Sequence, residues 1–266
     1  MTEIRVGLCG FSIAVDGYVR EFPVVEVQQT FYEPPADRTL LRWRSAVPSS
    51  FEFTLKAWQL VTHERSSPTY RRLRRPLTEA ERSQVGGFRT SPVVLEAWAR
   101  TLACGRILGA TAVLLQCPRS FVPTAVHVQR LRTFVGTVGR EPGLRVLWEP
   151  RGPWPMDLVG ELCEELDLVH VVDPFVGPTA TPETPYFRLH GITGARHVYS
   201  DGELERLIGM VPSTDQPAYV LFNNIPRVAD ARRFVALVEA SADHTLRPPP
   251  ERPSTTPDLE PVVVAG

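Results

Sequence analysis

Lysine is almost absent from this chain. Of its 29 basic residues 28 are Arg, and the one Lys is Lys56. The bias of a GC-rich genome explains the abundance of Arg but not the surviving ammonium. A site that needs a compact, titratable point charge instead of a planar fork is one answer. Cysteine is sparse as well: Cys9, Cys104, Cys117 and Cys163 form no CxxC pair, which excludes zinc ribbons, redox dithiols and a disulfide framework. Neither charge sign is in excess, with 30 acidic against 29 basic residues, so no polyanionic partner is called for. No apolar run approaches the roughly 20 residues needed to cross a bilayer. The N-terminus enters a strand-like pattern without the apolar core of a signal peptide, so the expected location is the cytoplasm, with no membrane partner. The phosphate, dinucleotide and hydrolase signatures GxxxxGK[ST], GxGxxG and GxSxG are missing too.

What is present is a strand–helix alternation in 266 residues that are 43% hydrophobic. Eight short β-branched, apolar runs stand out: Ile4–Phe11, Val24–Phe31, Phe51–Ala57, Thr111–Pro118, Arg145–Arg151, Leu168–Pro174, Tyr186–Gly191 and Ala218–Asn224. Helical periodicity separates most of them, at Asp37–Val47, Pro92–Leu108, Thr124–Val138, Met156–Leu166, Asp201–Met210 and Val228–Ala240, with Ser91, Thr124 and Ser200 as candidate caps. Eight such units predict an α/β fold of the TIM-like (β/α)8 type. Its first and sixth connections are shortened: Ser12–Pro23 is brief, and Pro174, Pro178, Pro182 and Pro185 exclude a helix from Phe175–Pro185. A doubly wound sheet is the lesser alternative.

Residues 1–241 form the predicted barrel and 242–266, rich in Pro, a disordered tail. Between the third strand and its helix, His63 to Ser91 is an excursion with seven Arg against three Glu, read as a solvated loop or a lid with phosphate affinity ahead of a nucleic-acid surface.

Side-chain alternation selects the interior. In Phe51–Ala57 the aromatic set Phe51 and Phe53 faces the helices, leaving Lys56 inside at the C-terminal end. The same parity places Glu26 with Gln28, Leu147 with Glu149 and Arg151, and Tyr186 with Arg188 and His190; Gln116, Asp173 and either Asn223 or Asn224 complete the set. Seven strands thus carry a polar residue at the end where barrel enzymes hold their active sites. Because an unpaired buried charge costs several kcal/mol, these groups must pair: Lys56, Arg151 and Arg188 balance Glu26, Glu149 and Asp173, with an ion pair to Glu26 or Glu149 ahead of a Schiff-base role for Lys56. His63 is a cap or a substrate contact, His170 is packing, and His127 and His244 lie on the surface. There are too few mouth histidines for a multinuclear zinc site, but one divalent ion on Glu149, Asp173 and His190 is permitted.

In these residues the chain resembles the domain of unknown function 72 family, the YecE-like barrels. The resemblance is carried by VEVQQTFY (Val25–Tyr32), FEFTLKAWQLVTH (Phe51–His63), LLQCPRSF (Leu114–Phe121), WEPRGPW (Trp148–Trp154), YFRLHG (Tyr186–Gly191), Tyr199-Ser200-Asp201 and FNN (Phe222–Asn224). It implies a TIM-like barrel and marks Glu26, Lys56, His63, Gln116, Glu149, Arg151, Asp173, Arg188, His190, Tyr199 and Asn223 as motif positions. It supplies no reaction. Two departures stand out: Gln28 and Gln29 replace the usual Asn and Ser, and the stretch after Gly7-Leu8-Cys9-Gly10 is short, which implies a more open mouth on that side.

The functional expectation is an enzyme acting by acid/base chemistry on a small anionic or polyhydroxylated substrate, such as a sugar phosphate or nucleotide-derived compound. Glu149, His190, Lys56 and Glu26 are the catalytic candidates; Arg151, Arg188, His63, Gln116, Tyr199 and Asn223 are the binding ones. Hydrolysis and isomerase or lyase chemistry both stay open, as does a non-catalytic barrel that binds an anionic ligand. Oligomeric state has no signature in the sequence.

Overall fold

All eight apolar runs form parallel strands, and the alternation within them decides what each strand turns inward. The computed structural model describes residues 1–241 and 243–251. The strands are β1 (Thr2–Cys9), β2 (Val24–Val27), β3 (Glu52–Lys56), β4 (Ala112–Gln116), β5 (Arg145–Glu149), β6 (Val169–Val172), β7 (Tyr186–Leu189) and β8 (Ala218–Phe222). Neighbours in sequence pair in parallel, and β1 joins both β8 and β2 to close the barrel. Helices follow the strands on the outside: α1 (Val15–Tyr18), α2 (Gln29–Tyr32), α3 (Asp37–Ser45), α4 (Gln59–Thr62), α5 (Glu79–Gln84), α6 (Pro92–Leu108), α7 (Ala125–Val138), α8 (Met156–Glu165), α9 (Asp201–Met210) and α10 (Arg227–Ala240). The two weak connections are as the sequence predicts. A single turn, α1, follows β1, and the Pro-rich segment between β6 and β7 forms no helix.

The barrel wall separates two apolar layers. Outward residues such as Phe53, Leu55, Trp148, Phe187 and Phe222 pack under the helices. The inward set, among it Val24, Ala112, Leu114, Leu147, Val171, Tyr186 and Tyr219, fills the barrel itself. In α6 the buried Val93, Val94, Ala97, Trp98, Thr101, Cys104 and Leu108 fall on one stripe at helical spacing, and Gly109, at φ +60°, ends the helix in the left-handed region. Ser200 and Thr124 cap their helices as expected. Ser91 does not; its hydroxyl donates to the Gln84 carbonyl 2.9 Å away.

The expected end of the barrel at 241 shifts. His244–Leu246 forms β9, in parallel register with Thr2, Glu3 and Ile4 of β1. The reason lies in β1, which meets β2 only at Gly7–Cys9 and so leaves its first residues an open edge that β9 covers. The rest of the predicted tail, 252–266, lies outside the described residues, as does residue 242. The Arg-rich excursion is also more structured than a loop: it contains a 3-10 turn at Pro68–Arg72 and the capping-box helix α5, and the Tyr70 hydroxyl donates to the His63 carbonyl at 2.7 Å.

At the N-terminal end the barrel is closed by charge. The buried Glu52 carboxylate accepts from Arg5 at 2.7 Å and from the Tyr219 hydroxyl at 2.7 Å, with Thr111 and Arg247 also on it. Replacing Glu52 with Ala leaves Arg5 with only the more exposed Glu3, 2.8 Å away, and removes the acceptor of Tyr219 and Thr111, and should cost about 2–3 kcal/mol. Urea unfolding measures it; a loss below about 1 kcal/mol contradicts the assignment of Glu52 as the plug.

Candidate functional site

The polar residues that parity selects converge at the opposite, C-terminal end, and they are organised around Arg188. Its guanidinium is fully buried in the barrel. Nη2 lies 2.9 Å from Glu26, and Nη1 donates to Glu149 Oε2. Burial works against the charge of Arg188, but the two carboxylates hold it protonated. Glu26 is itself 0% exposed, and its oxygens are occupied: Gln28 Nε2 donates to it at 2.5 Å and the Tyr186 hydroxyl at 3.2 Å. Gln28, one of the departures from the family pattern, therefore has a defined task in holding Glu26. A buried and saturated carboxylate has no surface with which to meet a substrate, so the catalytic role expected for Glu26 becomes a structural one.

Glu149 is equally committed. Oε2 also accepts from Gln116 Nε2 at 2.9 Å, while Oε1 lies 3.1 Å from His190 Nε2 and 3.6 Å from Arg151 Nε. Burial alone would raise its carboxyl; Arg188, then His190 and Arg151, outweigh that and hold it well below the usual carboxylate range. Glu149 is thus held as an anion between Arg188, Gln116, His190 and Arg151.

Arg188 takes both carboxylates, and among the described residues Lys56 forms no ion pair. Nζ donates instead to the neutral Gln116 Oε1 at 2.6 Å and lies 4.0 Å from the centre of the Phe31 ring. Burial first, and the like charge of Arg188 second, lower Lys56 to about 8 from the ordinary 10.5. Beside it His63, at the end of α4, is 7% exposed, lies edge-on to Phe31, and has its Nδ1 2.8 Å from the Thr62 hydroxyl. Burial, then Lys56 and Arg151, lower His63 to about 3, so its ring is neutral at physiological pH.

The open part of the mouth is a cavity of about 580 Å³ over β5–β8, lined by Glu149, Arg151, His190 and Asn223, with Val176 and Ile192 at its rim. The Asn223 amide nitrogen is 3.1 Å from His190 Nδ1. With that nitrogen donating to Nδ1, the ring proton sits on Nε2 and points at Glu149. Asn223, and not Asn224, is the residue facing the site; Asn224 is buried against the His197 carbonyl and Asp230. Gly191 follows at φ +90°, where a Cβ would stand 2.3 Å from the Gly194 carbonyl oxygen, so this turn beside His190 requires glycine.

Three residues near the mouth have partners that strand parity does not assign. Asp173 spends both oxygens on backbone, accepting from His190 N at 2.8 Å and Phe175 N at 3.1 Å, and burial raises its carboxyl. Among the described residues no three His, Cys, Asp or Glu side chains are grouped to hold a metal ion. Tyr199 is 0% exposed and its hydroxyl accepts from Gly191 N at 2.9 Å, which makes it a support of the turn and not a substrate contact. His170 is buried as expected, but it also has a polar task, accepting from Ala180 N at 3.0 Å.

Sequence reasoning missed two residues. Arg119 is exposed and lines the same cavity as His190, and Phe31 supplies the ring beneath Lys56. Both lie inside the quoted motifs LLQCPRSF and VEVQQTFY, but each falls past its strand, where alternation no longer assigns a direction.

The whole chain can be set beside known proteins. Residues 14–256 match the family described as Protein of unknown function DUF72. Among solved structures, a DUF72 family protein from Enterococcus faecalis V583 is similar at 20% identity and a TM-score of 0.66, over 90% of this chain and 96% of its own. Another, from Thermotoga maritima MSB8, is similar at 19% identity and 0.61, over 89% and 99%. A D-psicose 3-epimerase solved in the presence of D-fructose is similar at 12% identity and 0.54, over 89% and 99%. At such identities the likeness is one of fold. No curated protein matches the chain by sequence. The match over most of its length, joined to a closed eight-stranded barrel, establishes that the chain belongs to the DUF72 family.

Proposed function

We propose that this barrel is an enzyme that binds a small anionic, polyhydroxylated molecule in the β5–β8 mouth and moves protons on it with His190 and Lys56. The observation that carries the reading is the pairing of His190 Nε2 with the fixed anion Glu149 at the edge of an open cavity. A carboxylate that holds one ring nitrogen fixes the tautomer and leaves the other nitrogen for chemistry. A substrate hydroxyl or C–H that displaces the Asn223 amide meets that nitrogen. Arg151 and Arg119 line the same cavity, and exposed guanidinium groups there suit phosphate or carboxylate. Lys56, at about 8, stands as the second proton-transfer group. The polyhydroxylated class gains support from the shared fold with a protein named for epimerising a ketose, D-psicose.

Incubating the protein in D2O with D-fructose, D-fructose 6-phosphate and related ketoses, followed by proton NMR, tests this. The expected outcome is deuterium uptake or turnover with a phosphorylated compound, lowered about 100-fold or more by His190→Asn. Arg151→Met should raise KM more than it lowers kcat. Binding of these compounds without exchange or turnover, indifferent to His190→Asn, would make the protein a ligand-binding barrel instead.

Lys56 gives a second outcome, with a definite sign. Its pKa is about 8 in the folded chain and near the ordinary 10.5 in the unfolded one. Between those values the unfolded state binds a proton that the folded state does not, so stability rises with pH across the window. Relative to Lys56→Met, the wild type should gain up to about 3 kcal/mol from the lower to the upper end. Urea unfolding at both ends checks it; a difference that is flat, or that falls, contradicts the environment described for Lys56.

A further inference from the structure

We propose that Lys56 is a covalent nucleophile that forms an imine with the carbonyl group of the substrate. The inference rests on the acid/base reading of the same mouth and deepens it, because it restricts the substrate to an aldehyde or ketone that carries an anionic group.

Three observations place the amine for this task. The first is its partners. A buried lysine usually pairs with a carboxylate, and two carboxylates, Glu26 and Glu149, lie within the same cluster, yet both are bound by Arg188. Lys56 is left with one neutral acceptor, Gln116 Oε1, and the face of Phe31. Neither requires an ammonium, so the amine can lose its proton without breaking an ion pair. The second is the setting. Lys56, His63 and Gln116 are only 5%, 7% and 8% exposed, and Lys56 is joined to the mouth cavity through Gln116, whose Nε2 donates to the cavity-lining Glu149 at 2.9 Å. Such enclosure limits the water that would hydrolyse an imine. The third is chemical economy. In a chain with 28 Arg the one Lys stands at this position, and an arginine, protonated at all accessible pH, cannot attack a carbonyl.

The free-amine fraction follows from the same surroundings. Lowered to about 8 from the ordinary 10.5, Lys56 carries a far larger unprotonated fraction near neutral pH than an ordinary lysine does. The step balances without a redox partner. The Nζ lone pair attacks the carbonyl carbon, the nitrogen loses a proton and the oxygen gains one, giving a carbinolamine. Loss of that oxygen as water then forms the C=N bond. His190 is placed to move protons in the second stage, and Arg151 and Arg119 to hold the anionic end. An imine acidifies the adjacent C–H, which a general base then removes, so the two parts of the mouth would act in sequence.

The test is borohydride trapping of the full chain with dihydroxyacetone phosphate at about pH 8. The amines in the chain are Lys56 and the N-terminus, so mapping is simple. Reductive trapping at Lys56 blocks tryptic cleavage there and leaves peptide 45–65 intact, heavier by the probe less its carbonyl oxygen. The expected result is that adduct, dependent on borohydride, suppressed by excess inorganic phosphate, lost in Lys56→Arg and weakened in Arg151→Met. Mapping on the wild type needs no variant to fold. No adduct, an adduct confined to the N-terminal amine, or equal labelling of Lys56 in urea would overturn the proposal. If trapping fails while His190-dependent deuterium exchange persists, the imine is wrong and the acid/base reading stands. Failure of both removes that reading as well.

Discussion

The buried guanidinium of Arg188 is the constraint on which the mouth of this barrel depends. It is fully enclosed, so its charge has to be answered within reach of its own nitrogens, and it is answered twice, by Glu26 and by Glu149. Everything above it follows from that double engagement. Glu149 becomes a permanent anion and can orient His190; Lys56, deprived of both carboxylates, settles on a neutral amide and an aromatic face. One cation thus fixes the protonation state of the carboxylate next to it and loosens that of the amine beyond.

The two ends of the barrel use the same chemistry for opposite purposes. At the N-terminal end Glu52 is surrounded by donors from Arg5, Arg247, Thr111 and Tyr219, all of them closing the interior. At the C-terminal end the cluster is not self-contained: His190 and Arg151 reach a cavity, and among the described residues Lys56 has no ion-pair partner. Stacked Tyr186 and Tyr219, with ring centroids 5.1 Å apart, fill the space between the two ends. A plug and a site are therefore distinguished by whether every charge has been answered internally, and not by how many charges are buried.

Much of this was legible in the sequence, for a definite reason. Strand alternation has a period of two, so once Phe53 and Leu55 are assigned to the helix side, Lys56 must face inward, and the same step places Glu26, Gln116, Glu149 and Arg188. What alternation cannot convey is pairing across the barrel, which depends on the stagger between strands. Lys56 was therefore expected on a carboxylate that Arg188 in fact holds. Beyond the strand ends the rule lapses altogether. Asp173 points inward as expected but is consumed by the backbone of His190 and Phe175; Tyr199 turns out to brace Gly191; and Arg119 joins the cavity unannounced. The short β9 was hidden in a Pro-rich context, because only the length of β1 relative to β2 reveals the edge it covers.

The central claim is that Lys56 has no carboxylate in ion-pair contact among the described residues, and its uniqueness in the chain makes that directly measurable. Carbon-13 labelling of lysine at Cε gives a protein with a single lysine resonance, whose chemical shift can be followed by NMR as pH is raised. The account predicts a titration midpoint at about 8, rising toward the ordinary value if Arg188 is replaced by a neutral residue and falling further if Glu149 is. A midpoint at or above the ordinary lysine value of 10.5 would mean that Lys56 is held as an ammonium by an anion, and would contradict the arrangement of charges on which the proposed chemistry rests.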